Sequence, residues 1–473
     1  MTIILVVPEP KEKFTPYGPP LGLCYISAYL KMKGIYDIKG IDLNIDSVEE
    51  LKRLLAAGKN NIVGIYCATK TFDESLEIAK IAKENGSVVV MGGPHPTLCP
   101  EEILQNKNTD FVVIGEGEIS FYKLVNSISE NKSFENIEGI GYKNDLGEMV
   151  INNNNKFIDN LDLFPFPDRK IFNQHKYPSQ SMTAMATRGC PYACTNCKPA
   201  LDLICGRYRI RSVENLISEI KKEIIGTYNY TAVHFVDNDL TVNKKWVTEF
   251  CTKIIEEELK FTWGCQGGIR TLDKELMTLM KKAGCINIGI GIESGSQRVL
   301  DEIINKKINL IEAKKVVDWA NEVGIGIHIW LMIGIPLETL EETMQTIKFS
   351  SSLSVSSIGF SISTPWPKTG FYEICENKGF LLTDTWGEYN EKLYCKIETE
   401  NFSPKDIEKY RQTIFGIFKN KKWIVDKENF IMYNPYYNKS YMGIIRSKFI
   451  MSIIPLFGEE RLRKIYEFFN PDN

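Results

Sequence analysis

The stretch Ala186-Thr-Arg-Gly-Cys-Pro-Tyr-Ala-Cys-Thr-Asn-Cys-Lys198 places three cysteines, Cys190, Cys194 and Cys197, at the spacing C-x3-C-x2-C. Three thiolates so close in sequence can bind one face of an iron–sulfur cluster. A [4Fe–4S] cluster has four irons and normally takes four cysteines. Three ligands leave one iron open, and an open coordination position distinguishes a catalytic metal site from a structural one. The motif therefore predicts a catalytic [4Fe–4S] cluster.

Two other interpretations of the triplet are a zinc knuckle and three unrelated buried thiols. Zinc needs a fourth Cys or His at close spacing, and the nearest histidines, His175 and His234, are not placed that way. The cluster is therefore the favoured prediction.

Composition and charge set broader limits. A chain of 473 residues, 43% of them hydrophobic, is long enough for two or three domains with real cores. A net charge of −3 argues against a large nucleic-acid footprint, which needs a basic surface. The residues before Pro8 do not predict a signal peptide, and the sequence has no run of about twenty apolar residues. We therefore expect a cytoplasmic protein with reduced cysteines and no membrane span.

Short β-rich apolar runs alternate with helical patterns through the first 116 residues. This alternation predicts a parallel sheet with right-handed crossovers, that is, a doubly wound α/β domain. The predicted strands are Ile3–Val7, Ile38–Ile41, Ile62–Cys67, Val88–Met91 and Phe111–Ile114. Ligands bind beyond the carboxyl ends of such strands. A hairpin from about Gly139 to Ile151 and an Asn- and Pro-rich linker are expected to follow.

From Met182 the alternation of strand and helix signals resumes. The six candidate strands are Met182–Thr187, Ala232–Val236, Phe261–Cys265, Asn287–Ile292, Gly326–Met332 and Ile358–Ser363. Active groups in β/α barrels collect at the carboxyl ends of the strands. The cysteine loop follows the first of these strands, as that rule requires. The tail from about Phe380 is predicted to be mostly helical.

At the cysteine triplet and at Gly289-Ile-Gly-Ile-Glu-Ser-Gly-Ser296 the chain resembles the radical S-adenosylmethionine (SAM) enzymes, whose partial barrel is open at the side. Three further segments look like the cobalamin-binding domain of the cobalamin-dependent members of that family. They are Pro19-Pro-Leu-Gly-Leu-Cys-Tyr-Ile-Ser-Ala-Tyr-Leu30, Gly92-Gly-Pro-His-Pro-Thr97 and Ile114-Gly-Glu-Gly-Glu118. The resemblance implies three cofactors: a [4Fe–4S] cluster, SAM on its open iron, and cobalamin.

The resemblance, together with the residue patterns of the linker and the tail, divides the α/β chain into four parts. They are a doubly wound, Rossmann-like cobalamin-binding domain (1–130), a hairpin and linker (131–180), a partial (β/α)6 radical SAM barrel (181–378) and a mostly helical C-terminal domain (379–473).

The barrel residues that the resemblance assigns to SAM lie at strand ends. They are Asp237, Asn238, Gln266, Arg270, Glu293, Ser294 and His328. We expect Glu293 to accept from the SAM ammonium group and Arg270 to neutralise the SAM carboxylate. Paired acids such as Asp237 and Asp239 usually indicate general acid–base catalysis. Hydrogen abstraction by a radical needs no base, so we favour a role for these acids in binding SAM. For Trp330 a core position is expected.

Several positions leave alternatives open. Leu337 stands where the family commonly has glycine, which leaves the turn type undecided. Asn196 stands before the third cysteine, where an aromatic residue is frequent. Arg209 and Arg211 either meet carboxylates or the cobalamin phosphate, or form exposed salt bridges.

The residues that the resemblance assigns to cobalamin are Pro20, Leu21, Gly22, Asp42, Asn44, Thr69, Gly92, Gly93, His95, Gly115, Glu116 and Gly117. The histidine-ligated motif D-x-H-x-x-G is not matched, because Asn44 takes the place of the histidine. An amide is a poor cobalt ligand, so a base-off cobalamin without a protein histidine is expected. For His95, packing beside Pro94 is favoured over cobalt ligation.

The resemblance predicts a cobalamin-dependent radical SAM methyltransferase that methylates an unactivated carbon through a 5′-deoxyadenosyl radical and methylcobalamin. One alternative is a cyclase or ring-rearranging enzyme that uses cobalamin without methyl transfer. A non-enzymatic alternative is a cobalamin or redox sensor. The expected partners are a peptide, natural-product precursor or lipid substrate and an electron donor such as a ferredoxin or flavodoxin, with no nucleic acid.

Overall fold

The computed structural model describes residues 1–11, 18–58, 60–153, 157–177, 179, 181–383, 385–389 and 394–435. Two sheets dominate this part of the chain, one in the N-terminal domain and one in the central barrel. The end of the predicted C-terminal domain, residues 436–473, lies outside the described residues.

The N-terminal sheet has seven strands, and helices connect the first five of them. The strands are β1 (Ile3–Val7), β2 (Ile38–Asp42), β3 (Ile62–Tyr66), β4 (Val88–Gly92), β5 (Phe111–Val113), β6 (Ile140–Lys143) and β7 (Met149–Asn152). The helices are α1 (Leu21–Met32), α2 (Val48–Ala57), α3 (Phe72–Glu84), α4 (Pro94–Leu98), α5 (Pro100–Gln105) and α6 (Gly117–Glu130).

The strand order is β2-β1-β3-β4-β5-β6-β7, parallel through β5 and antiparallel for the hairpin β6–β7. Strand order reverses between β1 and β3, and ligands of doubly wound sheets bind at such a switch point. One apolar cluster with Leu5 and Val90 covers one face of the sheet, and another with Val6 and Met91 covers the other. The predicted doubly wound domain is thus confirmed.

The linker that follows is anchored to the barrel by a buried arginine. Arg169 is fully buried in the single helical turn Arg169–Ile171. Its Nη2 donates to Glu219 Oε1 and to the Thr183 carbonyl oxygen, both at 2.7 Å. The linker therefore holds a fixed position between the two sheets.

The central part contains the second sheet and its helices. The strands are β8 (Met182–Ala184), β9 (Thr187–Arg188), β10 (Arg209–Ile210), β11 (Ala232–Phe235), β12 (Thr262–Gln266), β13 (Cys285–Glu293), β14 (Gly326–Ile333), β15 (Ser357–Ile362), β16 (Ile424–Asp426) and β17 (Ile431–Tyr433). The helices are α7 (Ala200–Cys205), α8 (Val213–Glu219), α9 (Lys244–Glu256), α10 (Lys274–Lys282), α11 (Leu310–Val323), α12 (Leu340–Ser352), α13 (Gly370–Lys378) and α14 (Pro404–Asn420).

The barrel sheet runs in the order β8-β11-β12-β13-β14-β15-β17-β16. Its first six strands are parallel, as a partial (β/α)6 barrel requires, and β17 and β16 add to it antiparallel. In the described part of the C-terminal region, therefore, α14 is accompanied by two strands that extend the barrel. Among the described residues, no helix combines the length and apolar character needed to cross a bilayer.

The expectation of one continuous strand over Met182–Thr187 is wrong. The chain leaves the sheet after Ala184, and β9 pairs instead with β10. The reason is the Asp237 carboxylate, which accepts from the backbone N–H groups of Ala186 and Thr187 and so replaces their strand partners. This break turns the chain into the cysteine loop.

Alternate residues of each barrel strand face opposite sides of the sheet. The outer side packs against the helices through buried aromatic contacts, such as those of Phe235 with Phe250 and Trp263. The inner side faces the barrel interior and carries the candidate site at its carboxyl-end rim.

Candidate active site

Hydrogen bonds to two other segments of the chain hold the cysteine loop in place. Thr195 N donates to Ile304 O at 2.8 Å, and Asn305 Nδ2 donates to Ala193 O at 3.1 Å. Gly370 N donates to Lys198 O at 2.8 Å. Gly189, just before the first cysteine, has φ +79°, and a Cβ there would lie 2.6 Å from the Arg207 carbonyl oxygen. Only glycine fits this turn.

Cys190, Cys194 and Cys197 are all free thiols on this loop. Burial raises the pKa of Cys190 and Cys194, and the nearby Lys306 ammonium opposes that shift at both thiols. Iron–sulfur clusters bind thiolates, so a half-buried cation beside the loop fits a cluster site. The donor set and its surroundings match three-cysteine ligation.

Glu293 and Lys306 form an ion pair next to this loop. Lys306 Nζ lies 2.8 Å from Glu293 Oε1, and the two side chains are 21% and 17% exposed. Burial lowers the pKa of Lys306, but Glu293 and Cys194 raise it more, so the net shift is upward. Glu293 has φ +72°, a left-handed conformation that is strained for a glutamate. Such strain is typical of functional sites.

The glycines beside Glu293 make room for polar side chains. A Cβ on Gly291 would meet Glu293 Oε1 and Lys306 Nζ, and a Cβ on Gly289 would meet the amide group of Gln266. The structure therefore brings Gln266 and Glu293, both predicted to bind SAM, to one inner face of the barrel. This glycine-lined cradle fits a ligand that approaches the backbone closely.

Arg270 lies at the same rim, against the cysteine loop. Its guanidinium carbon is 4.3 Å from the centre of the Tyr192 ring, an arginine–aromatic contact. Burial and the neighbouring Asp239 raise the pKa of Tyr192 to about 12. Asp239 accepts from the N–H and hydroxyl of Thr241, both at 2.8 Å. Arg270 thus contacts Tyr192 of the cysteine loop from the β12 side.

The other predicted SAM residues are distributed differently. Asp237 is buried, and its Oδ1 also accepts from the Thr187 hydroxyl at 2.6 Å, so its carboxylate faces the backbone of the loop entry. Asn238 is exposed at the rim. Ser294 is buried, with its Oγ 3.2 Å from Thr346 Oγ1 on α12. SAM contacts for all three stay predictions.

His328 lies beside the glycine cradle, because it is the register partner of Gly289. Its Nδ1 is 2.6 Å from Ser357 Oγ, and its ring is 4.1 Å from that of Trp330. Trp330 is 37% exposed, so the expectation of a core position for it is wrong. It faces the barrel interior, on the same side of β14 as His328.

In the N-terminal domain, Asp42 and Asn44 lie together at the end of β2. Asn44 Nδ2 donates to Asp42 Oδ1 at 2.7 Å, and the Tyr177 hydroxyl donates to Asp42 Oδ2 at 2.9 Å. Asn44 Oδ1 is buried and has no hydrogen-bond partner among the described residues. A buried acceptor without a partner is unusual, which fits a ligand donor at this strand end.

His95 lies in a fully enclosed setting beyond β4. Its Nδ1 is 3.1 Å from Thr69 Oγ1, and its ring packs edge-on against Phe72 and Trp386. The Trp386 indole N–H donates to Glu102, so this part of the chain ties the C-terminal region to the N-terminal domain. These contacts are in keeping with the packing role favoured for His95.

The predicted glycines line the same edge of the sheet. Gly93 has φ +107°, and a Cβ there would lie 2.9 Å from the Cys67 carbonyl oxygen. Gly92 ends β4, and Gly115 and Gly117 flank Glu116 after β5. At the start of α1, Pro20 and Leu21 precede Gly22, which has open space around it.

Glu116 connects the two halves of the site. Arg209 donates to it through Nη1 and Nη2 at 3.0 and 2.7 Å, and Arg188 Nη1 lies 3.1 Å from its Oε1. Arg188 Nη2 also pairs with Glu118 at 2.6 Å. Arg211 pairs instead with Glu219 at 2.6 Å. Both Arg209 and Arg211 are buried, so exposed salt bridges are excluded for them.

Family models match both halves of this arrangement. Residues 11–125 match the B12 binding domain, and residues 185–349 match the Radical SAM superfamily. The chain is 30% identical over 458 residues to an uncharacterized methyltransferase of Pyrococcus horikoshii, covering 94% of this chain and 98% of that protein. The chain belongs to the cobalamin-dependent radical SAM enzymes. An anaerobic magnesium-protoporphyrin IX monomethyl ester cyclase of Rubrivivax gelatinosus is 27% identical over 370 residues, which cover 75% of this chain and 66% of that protein.

The fold of this radical SAM enzyme is also that of a solved relative. The methyltransferase TsrM from Kitasatospora setae, whose structure has cobalamin and a [4Fe–4S] cluster bound, superposes with a TM-score of 0.69. The match covers 94% of this chain and 90% of that chain at 17% identity. This likeness confirms the predicted fold class.

Two site residues escaped the sequence analysis. Lys306 belongs to the run Asn305-Lys-Lys307, which is indistinguishable in sequence from a solvated surface. Arg188 is part of the quoted cysteine stretch, but its partners Glu116 and Glu118 are about seventy residues earlier. The π-helical turn Val299–Ile303, which returns Lys306 to the cysteine loop, has no simple periodic signal.

Proposed function

We propose that this protein is a cobalamin-dependent radical SAM C-methyltransferase that methylates an unactivated carbon. The observation that carries the proposal is the ion-pair group of Arg188 and Arg209 with Glu116 and Glu118. Glu116 follows β5 of the cobalamin domain, and Arg188 stands two residues before Cys190. This arrangement supports a cobalamin site and a cluster site that face one another with a substrate between them.

The residues fit three cofactors. Cys190, Cys194 and Cys197 would hold the cluster, and Glu293 with Arg270 would bind the amino and carboxylate groups of SAM. The edge formed by Asn44, Gly93 and Gly115 would hold cobalamin in its base-off form, with no protein histidine on the cobalt because Asn44 stands in the place of that ligand. When bound, the cluster with SAM supplies a 5′-deoxyadenosyl radical, and cobalamin supplies a transferable methyl group.

In this proposal the chain positions the substrate carbon and excludes water while the cofactors react. One SAM would leave as methionine and 5′-deoxyadenosine, and a second would leave as S-adenosylhomocysteine after remethylating cobalamin. Reducing equivalents would come from a ferredoxin- or flavodoxin-like donor. The substrate would be a peptide, a natural-product precursor or a lipid.

A cyclase that does not transfer a methyl group is the second candidate. The similarity to the Rubrivivax gelatinosus cyclase favours it. Product analysis separates the two: equal amounts of S-adenosylhomocysteine and 5′-deoxyadenosine indicate methyl transfer, whereas 5′-deoxyadenosine alone indicates cyclisation or rearrangement.

The first test is the absorbance spectrum and the iron and cobalt content of protein purified without oxygen after addition of hydroxocobalamin. Four irons and one base-off cobalamin per chain are expected. Four irons without cobalamin would overturn the methyltransferase proposal.

The second test is Cys194→Ala, which should abolish reductive cleavage of SAM. Cys205→Ala is the matched control, because Cys205 is also a free thiol, at the end of α7 next to the loop. That variant should cleave SAM at the wild-type rate. Unchanged cleavage in Cys194→Ala would refute the cluster assignment.

A further inference from the structure

The inner face of the barrel carries few bulky branched side chains. Barrel interiors are usually filled by bulky branched side chains, but here five inner positions are glycines, on four of the strands. They are Gly264, Gly289, Gly291, Gly326 and Gly359. The strand registers place them in rows, since Gly264 pairs with Asn287 and Asn287 with Gly326, while Gly291 pairs with Trp330 and Trp330 with Gly359. Residues paired in a parallel sheet project to the same side, so each row is one layer of the interior.

Trp330 is the large side chain of the upper row. It is 37% exposed, whereas its neighbours in sequence, Ile329 and Leu331, are 0% and 1% exposed. Its partners in the row, Gly291 and Gly359, have no side chains. A Cβ on Gly359 would lie 2.5 Å from two carbons of the indole ring, so the indole rests directly against the backbone of β15. The glycine thus fixes the indole while leaving part of it uncovered.

The row below Trp330 is polar. It runs through Gly289, His328 and Ser357, and the amide group of Gln266 occupies the space that a side chain at Gly289 would fill. The His328 ring is held edge-on to the indole at 64° and by its 2.6 Å contact with Ser357 Oγ. A ligand against the indole would therefore meet hydrogen-bonding groups in the row below it.

Trp330 is also next to the strand that carries Glu293. Gly291, its register partner on β13, is two residues before Glu293 and directly beside the Glu293–Lys306 pair. A molecule on the indole would consequently lie close to the SAM end of β13, where a reacting carbon has to be placed.

We infer that Trp330 is the platform for the substrate, and that the substrate carries a flat, conjugated ring with hydrogen-bonding heteroatoms. An exposed indole face attracts π systems by stacking, and the His328–Ser357 row would bind polar atoms at the ring edge. This inference rests on the proposed function and names the substrate class for that site. Trp330 is a specificity-determining residue and takes no part in bond making.

The test uses anaerobic holoenzyme with cluster, cobalamin and SAM bound, and ligand-observed NMR. The probes are pairs of fragments equal in charge and similar in size that differ in saturation, such as 1-benzofuran-2-carboxylate and octahydro-1-benzofuran-2-carboxylate, which are both anions. For the pairs that bind, the flat member should bind about tenfold more tightly, which is 1.4 kcal/mol. Trp330→Leu should abolish that preference, and Trp330→Phe should keep most of it.

Gly359→Ala provides an independent variant, because its Cβ displaces the indole while Trp330 stays in the sequence. It should lose the preference as Trp330→Leu does. Tyr36→Leu is the matched control, since Tyr36 is 72% exposed in the N-terminal domain, and it should change nothing. A wild type without any preference for flat fragments, or a preference that survives Trp330→Leu, overturns the inference.

SAM carries a flat adenine, so SAM affinity is measured in the same variants. It should be unchanged in Trp330→Leu; a loss of SAM affinity would identify the indole as an adenine platform and refute the substrate assignment. Failure of the proposed function is distinguishable, because it would appear in the wild type as missing iron, missing cobalamin or no cleavage of SAM.

Discussion

Arg209 and Glu116 form a bidentate ion pair across the boundary between the cobalamin domain and the barrel, with the Arg209 side chain 3% and the Glu116 side chain 13% exposed. Arg188 adds a second arginine to the same carboxylate. Bidentate arginine–carboxylate pairs fix orientation as well as distance. The relative position of the two cofactor domains is therefore fixed by charge at the point where their sites meet.

Glu116→Gln should destabilise the protein strongly. The substitution leaves the buried Arg209 guanidinium without its counter-charge, whereas Arg188 keeps its pair with Glu118. Breaking a buried pair costs about 3 kcal/mol. Urea unfolding of the apoprotein measures the loss.

The control for this prediction is Glu130→Gln, which removes an exposed pair with Lys132 whose side chains are 44% and 65% exposed. Exposed pairs contribute little, so no measurable change is expected. Equal effects of the two substitutions would contradict a structural role for the Arg209–Glu116 pair.

Lys306→Met should weaken SAM binding about tenfold while leaving the iron content unchanged. The ammonium group holds the Glu293 carboxylate in place, and a hydrogen bond to a charged group is worth about 1.5 to 3 kcal/mol. Lys306→Arg should recover part of the affinity. Calorimetry of SAM binding to cluster-reconstituted protein measures it.

Lys307→Met is the neighbouring control. Lys307 Nζ donates to the Asp301 carbonyl oxygen at an exposed position, away from Glu293. Its substitution should leave SAM affinity unchanged. If both lysine variants lose affinity equally, general charge rather than the Glu293 contact is responsible.

The sequence predicted local features of this protein well. We could predict the cysteine site and the strands that end at Asp42, Gln266 and Glu293 from the sequence. Hydrophobic alternation and motif spacing are properties of neighbouring residues, so they need no knowledge of distant contacts. The boundaries differ from the predicted ones by one or two residues, except at the break between β8 and β9. That break depends on Asp237, about fifty residues further along the chain.

Contacts between distant parts of the chain were not predictable in this way. The Arg209–Glu116 pair joins residues 93 positions apart, and nothing near either residue indicates its partner. Trp330 was expected in the core because a tryptophan on an apolar strand is normally buried. Its exposure depends on Gly291 and Gly359 of the neighbouring strands, and therefore on the register of the sheet.

The protein should be more stable with glycine than with alanine at position 337. Leu337 has φ +66°, so the turn keeps the left-handed conformation although the chain has leucine there. This conformation costs a residue with a Cβ about 1 to 2 kcal/mol. Leu337→Gly and Leu337→Ala lose the same packing, so their difference in unfolding free energy isolates the backbone effect.

Gly416→Ala serves as the opposite control. Gly416 lies inside α14, where a Cβ would meet nothing within 4 Å. Alanine is favoured over glycine in a helix by about 0.5 to 1 kcal/mol, so this variant should be more stable. Alanine favoured at both positions would contradict a strained turn at Leu337.

The free energy of unfolding of Glu338→Gln, relative to that of the wild type, should increase as the pH rises. Glu338 is fully buried, with Ile335 N donating to its Oε2 at 3.1 Å, and burial raises its pKa to about 8. Between the ordinary glutamate pKa of about 4.3 and that value, the folded state binds more protons than the unfolded state. The wild type therefore loses stability from this group as the pH rises through that window, and the glutamine variant does not.

The difference between them should grow by about 1 to 3 kcal/mol from pH 5 to pH 9, measured by urea unfolding. Glu341→Gln removes an exposed charge three residues later, in the first turn of α12, and controls for the loss of a carboxylate. A difference that stays constant with pH would mean that Glu338 is ionised in the folded protein throughout, and that the turn after β14 stabilises its charge.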